Sequence, residues 1–174
     1  MIGYVDIAEQ VDADFTRALR RSFVHRLWAR LRGDSSHHLA PSFREVARVF
    51  GARNKRRLGR RVVAVDQIVG SVGRSRDFDR NFLPVRRDLE EKWKRVDGAF
   101  HRGVDLPPVE LHELGGSYFV VDGNHRVSVA RYQGVRWIEA EVTRLYAATI
   151  AATDPTRIHR KAEGHEETGL PAAA

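Results

Sequence analysis

The stretch Val120–Arg126 constrains the chain more than any other. Two valines that read as the end of a strand run straight into Asp122-Gly123-Asn124-His125-Arg126, and a helical pattern follows at once. That pattern covers Asn124 to Gln133, with Val127, Val129 and Ala130 as its apolar positions and Gly134 as its stop. A strand that turns through glycine into a helix gathers the unpaired N–H groups of the helix start at one spot. Those donors and the helix dipole draw an anion there. Gly123 allows close backbone approach or a positive φ. Arg126 offers a planar fork for two phosphate oxygens. His125 donates when protonated and can act as acid or base near neutral pH. Asp122 can cap the helix, hold a cation such as Mg²⁺, or orient His125. The plain alternative is an ordinary turn, with Asp122 and Asn124 as capping residues and His125 on the surface.

The flanks place this junction in an α/β (α+β) chain. Val62, Val63 and Val65 read as a strand leading through Ile68-Val69 into the glycine-rich Gly70–Arg74. A helix is expected over Leu89–Phe100 with Trp93, Val96 and Phe100 inward. Leu106-Pro107-Pro108 leads rigidly into a strand over Val109–Leu114. Gly115-Gly116 then makes a hairpin turn into Tyr118–Val121, and Trp137–Leu145 is the closing strand. The expected core is Val63, Val65, Ile68, Trp93, Val109, Leu111, Phe119, Val121, Val127, Ala130, Ile138 and Val142, with Phe78 and Phe82 pinning the loop over the site.

Charge divides the chain. Arg17 to Arg61 holds fourteen Lys or Arg against only Asp34 and Glu45, a local balance of +12 in a protein of net +7, so the remainder carries −5. Such asymmetry suits an acidic partner, DNA or RNA first, or else a solubilising surface. Asp12 or Asp14 is expected to cap a first helix carrying Phe15, Leu19, Phe23, Leu27 and Leu31, ended by Gly33 and Asp34. A strict four-residue stripe drifts about 40° per step around the helix. Arg17, Arg21 and Arg32 share one sector with Trp28. Gly33–Pro41 reads as a loop whose adjacent His37 and His38 lack metal-ligand spacing. Ser42 and Glu45 form a capping box for a short helix ended by Gly51, and Arg53, Lys55, Arg56 and Arg57 follow as a basic run. These residues, with Arg17, Arg21 and Arg32, are the nucleic-acid-binding candidates. The expected organisation is a basic helical extension over 1–60, the site-bearing domain over 61–146 and a disordered tail over 147–174. With no cysteine, disulfides and thiolate chemistry are excluded. No signal peptide or membrane span is read, and a cytoplasmic setting is expected.

Taken in order, VDQIVGSVGRSRDFD, then Trp93, Val96 and Ala99 on a helix, LPPVEL, and YFVVDGNHRVSVARYQGV with its closing strand resemble the ParB N-terminal domain and sulfiredoxin superfamily. The resemblance spans Val62 to Leu145, about half the chain. It implies a phosphate-binding element at the helix start, used on CTP in chromosome-partitioning members, ATP in sulfiredoxin and ADP in a free-serine kinase. By position, Gly123, Asn124, His125 and Arg126 would meet the nucleotide, and Arg74 or Arg76 would approach from the opposite wall. Asn124 stands where sulfiredoxin has its cysteine, so that activity is excluded. The chain is too short beyond this region for a partitioning-type sliding clamp. The kinase motif implicates Asp122 and His125 in chemistry, with Asp77, Asp79 or Glu110 as a further acid.

The expected function is therefore a nucleotide- or phosphate-binding module, regulatory or DNA-associated. The alternative is a Mg²⁺-dependent phosphotransferase or phosphoesterase working through Asp122 and His125.

Overall fold

The computed structural model describes residues 6–33, 39–52 and 54–146. Arg53, His37, His38 and the expected tail lie outside the described residues. Five strands form one mixed sheet in the order β1-β5-β3-β4-β2. These are β1 (Asn54–Ala64), β2 (Ile68–Ser71), β3 (Val109–Leu114), β4 (Ser117–Asp122) and β5 (Trp137–Tyr146). β1 is antiparallel to β5, β5 parallel to β3, β3 antiparallel to β4, and β4 parallel to β2. Among the described residues there are four α-helices: α1 (Ile7–Leu31), α2 (Phe43–Val49), α3 (Glu90–His101) and α4 (Asn124–Tyr132). The α/β expectation holds, as does the hairpin, where Gly115 and Gly116 take φ of 60° and 81°.

Both faces of the sheet are covered. On one, Val63, Ile68, Val109, Leu111, Val120, Ala140 and Val142 pack with Val127 of α4 and with Phe78 and Phe82, both fully buried. On the other, Phe119 and Leu114 meet Phe43 of α2, and Phe43 and Phe119 lie edge to face. This arrangement corrects one expected core position. Val120 is fully buried, whereas Val121 shares the Phe119 face and is 38% exposed. Ile138 and Phe100 also fall short of full burial, and Phe100 instead rims a groove of about 660 Å³.

α1 begins earlier than expected. Asp6 is its N-cap and accepts from the Ala8 N–H, so neither Asp12 nor Asp14 caps it. Its buried residues are Val11, Asp14, Phe15, Ala18 and Ser22, whose spacings of three and four follow the 3.6-residue turn. Phe15 packs on Trp93 of α3, but the four-residue stripe then rotates away from the protein. Phe23, Leu27 and Leu31 are 59%, 44% and 70% exposed. At α2, Ser42 is the N-cap residue, yet its side chain makes no capping bond, so the expected capping box is absent.

β1 corrects the helical expectation for the end of the basic segment. Lys55, Arg56 and Arg57 are strand residues paired with Leu145, Arg144 and Thr143, with a bulge at the next step. The strand lies at the sheet edge, where exposed cations are tolerated and discourage edge-to-edge pairing.

Candidate anion site at the start of helix α4

β4 ends at Asp122, and Gly123 turns the chain with φ 95° and ψ 24°, a left-handed conformation that favours glycine. A Cβ on Gly123 would lie 2.7 Å from Val109 Cγ1 and 2.9 Å from Arg126 Nε, so the position also lacks room for a side chain. α4 starts at Asn124, and no side chain caps it. The start of α4 lines a cleft of about 250 Å³, whose other lining residues include Arg74, Lys92, Val96, Asp122 and Gly123 beside Asn124, His125 and Arg126.

Two of those side chains bury polar atoms that nothing satisfies. Asn124 is 6% exposed and its Oδ1 has no hydrogen-bond partner. Both ring nitrogens of His125 are likewise buried and unpartnered. An unmet buried polar atom costs about 1–3 kcal/mol. The His125 ring stands edge-on to Phe78, which in turn stacks on Phe82. Burial pushes the His125 imidazole down to about 4, helped by the positive charges of Arg74 and Lys92 and opposed by Asp77. The ring is neutral at pH 7, one nitrogen a donor and the other an acceptor.

Arg126 is differently employed. Its Nη2 donates to Asp122 Oδ2 at 2.6 Å, and its Nη1 donates to the carbonyls of Pro108, at 2.9 Å, and Pro107. It thus ties the approach to β3 onto the start of α4, and its fork already has partners. Asp122 is 71% exposed at its side chain and is paired with Arg126. No hydrogen bond joins Asp122 to His125 among the described residues.

The opposite wall comes from the segment after β2. Ser71 Oγ accepts from the Arg74 N–H, and Arg74 Nη1 donates to Asp77 Oδ2 at 3.0 Å. Of the two arginines expected there, Arg74 lines the cleft and Arg76 does not. Among the candidate further acids, Asp77 is held by Arg74 and Arg86. Asp79 is buried and accepts from the Asn81 and Leu83 N–H groups, which shapes its own turn. Glu110 lies opposite Asp122 across the β3–β4 ladder. Lys92 was not foreseen. Its spacing of four from Val96 on α3 puts both on one helix face, and that was the available signal.

The nucleic-acid candidates are dispersed. Arg17 donates to Asp14, and Arg21 lies 5.3 Å over the Tyr132 ring, so both turn toward the protein. Arg32 is exposed at the far end of α1, while Lys55, Arg56 and Arg57 are exposed on β1. No described helix is long and apolar enough to cross a membrane.

No family model matches the sequence, and no curated protein matches it. Among solved structures, the chain is similar to the crystal structure of sulfiredoxin from Arabidopsis thaliana, at 18% identity over 48% of this chain and 82% of that one, with a TM-score of 0.36.

Proposed function

We propose that this protein binds a phosphate-bearing ligand, a nucleotide by preference, in the cleft at the start of α4, and that it does so as a binding module in a cytoplasmic setting. The observation that carries this reading is the pair of buried, unpartnered groups, Asn124 Oδ1 and the His125 ring, on two residues that line a cleft together with Arg74 and Lys92. Unmet polar atoms beside two cations and an uncapped helix start fit an anion that carries its own hydrogen-bonding groups. A phosphate accepts from the first-turn N–H groups, from Lys92 and from a neutral His125 nitrogen. Asp122 is the single carboxylate lining the cleft and is already paired, so Mg²⁺ fits there only as an ion carried by the phosphates.

The same geometry favours binding over catalysis. A general base near pH 7 needs a pKa close to 7, and His125 sits well below that. Nor does Asp122 hold the imidazole in one tautomer. The phosphotransferase reading requires Asp122 to leave Arg126 when ligand arrives. It would be supported by ATP or phosphoester turnover that Asp122→Asn abolishes.

A regulatory role on DNA or RNA rests on the exposed cations of β1 and the end of α1. It requires polyanion binding that weakens steeply with salt and is lost in a Lys55, Arg56, Arg57 triple alanine variant. The direct test of the ligand is a thermal-shift screen of ATP, ADP, CTP and tripolyphosphate, with and without Mg²⁺, on wild type and Lys92→Ala. A rise in melting temperature that Lys92→Ala diminishes supports the reading. Absence of any rise at millimolar ligand would sink it.

A further inference from the structure

A second set of ligand-type atoms lies at the joint between α1, α3 and α4. Asp14 of α1 and Asp97 and His101 of α3 each turn one atom toward a common point, all three within 4.8 Å of one another. Asp97 is fully buried and Asp14 is 3% exposed. The His101 side chain keeps 23% exposure, which leaves an approach from solvent.

Both spacings from His101 suit a metal ion. His101 Nε2 lies 3.0 Å from Asp14 Oδ2 and 3.5 Å from Asp97 Oδ2. A cation holding oxygen and nitrogen ligands at about 2.0–2.2 Å sets neighbouring ligand atoms roughly 3.0–3.5 Å apart, between octahedral and tetrahedral angles.

Protons alone leave the set unsatisfied. Nε2 can carry one hydrogen, and its short contact is to Asp14. Asp97 Oδ1 accepts from Gln133 Nε2 at 2.8 Å, but Asp97 Oδ2 is buried with no hydrogen-bond partner. A carboxylate oxygen in that condition is costly.

We propose that Asp14, Asp97 and His101 bind one divalent transition-metal ion of the zinc or manganese class. One imidazole nitrogen and two carboxylate oxygens form a mixed donor set that suits these ions. The ion takes the place of the Nε2 proton and gives Asp97 Oδ2 its missing partner. Gln10, Arg17 and Tyr132 keep their hydrogen bonds to Asp14 and orient it from outside, as outer partners of metal ligands do. Gln133 gives up its longer contacts to Asp14 Oδ2 and His101 Nε2 and keeps the one to Asp97 Oδ1. Because the ligands come from α1 and α3, the ion fastens the first helix to the body of the protein. The site is separate from the α4 cleft and stands or falls independently of it.

The test strips metal from the full chain and titrates it with Zn²⁺, Mn²⁺ or Co²⁺ while following melting temperature and heat of binding. One equivalent is expected to bind, with a rise of about 5–10 °C at a hundredfold excess over the Kd. Co²⁺ is expected to give a visible absorption band in wild type. Asp97→Asn and His101→Gln, both shown folded by circular dichroism, are each expected to lose the rise and the band. No rise and no band in wild type would overturn the proposal, as would a rise that survives in both variants.

Discussion

Asn124 and His125 bury their polar atoms at the start of α4 with no partner inside the protein, whereas Asp14 buries a carboxylate that accepts from Gln10, Arg17, His101, Tyr132 and Gln133. Both regions are polar and enclosed, and both lie against α3 and α4. Around Asp14 the protein supplies every hydrogen bond itself, while Asp97 Oδ2 beside it stays unmet. Burial alone would raise the Asp14 carboxyl, but the bonds from Gln10, Tyr132, His101 and Gln133 outweigh it and hold it below the usual range. In the cleft the protein supplies cations and donors yet leaves the imidazole unmet. The first pattern holds a fold together. The second, two adjacent unmet residues beside two cations, fits a ligand site before its ligand arrives.

The contrast can be broken in order of expected effect. Asp14→Ala strands its donors, among them a histidine and two half-buried glutamines, and removes the tie between α1 and the rest. It is expected to cost about 3–5 kcal/mol in urea unfolding. A loss under about 1 kcal/mol would mean that the joint is no more structural than the cleft. Gly123→Ala forces a side chain into a left-handed residue against Val109, at an expected cost of about 2–3 kcal/mol in the same assay.

The pH dependence of stability separates the regions further. His125 has a folded value near 4, below the usual value of 6.5, so the unfolded chain binds more protons between those values. Its contribution is therefore present above about pH 6.5 and is lost as pH falls toward 4, on the order of 2–3 kcal/mol in all. His125→Phe is expected to flatten that slope. It should change stability at pH 7 by no more than about 1 kcal/mol, because replacing an unsatisfied group by an apolar one is close to neutral. Unfolding curves at pH 4.5, 5.5 and 7 for both proteins check this. An unchanged slope in the variant would place the titration elsewhere.

The sequence revealed the cleft side of this comparison and concealed the joint. Strand, glycine turn and helix start are adjacent in the chain, so Asp122, Gly123, Asn124 and His125 could be placed together from local chemistry alone. Arg74 was found only as one of two arginines, since its selection depends on the fold between β2 and α3. Arg126, expected on phosphate, lines the cleft and also bonds Asp122 and the Pro107 and Pro108 carbonyls, partners that no local pattern exposes. Asp14, Asp97 and His101 meet only when α1 packs on α3, and Asp14 read naturally as a cap. Val121 was misplaced for a different reason. In a sheet covered on both faces, apolar residues at Phe119, Val120 and Val121 carry no alternation, so the buried partner must be decided by the extent of each covering helix.

The account turns on whether the unmet groups at α4 have a partner from outside. Calorimetric titration of wild type, Lys92→Ala and His125→Phe with ATP, ADP, CTP and tripolyphosphate, with and without Mg²⁺, asks this directly. One equivalent of at least one of these ligands should bind wild type, and each substitution should weaken that binding about tenfold or more, in line with the loss of a charge-assisted or buried hydrogen bond. No heat of binding at millimolar ligand, or equal affinity in all three proteins, would contradict it.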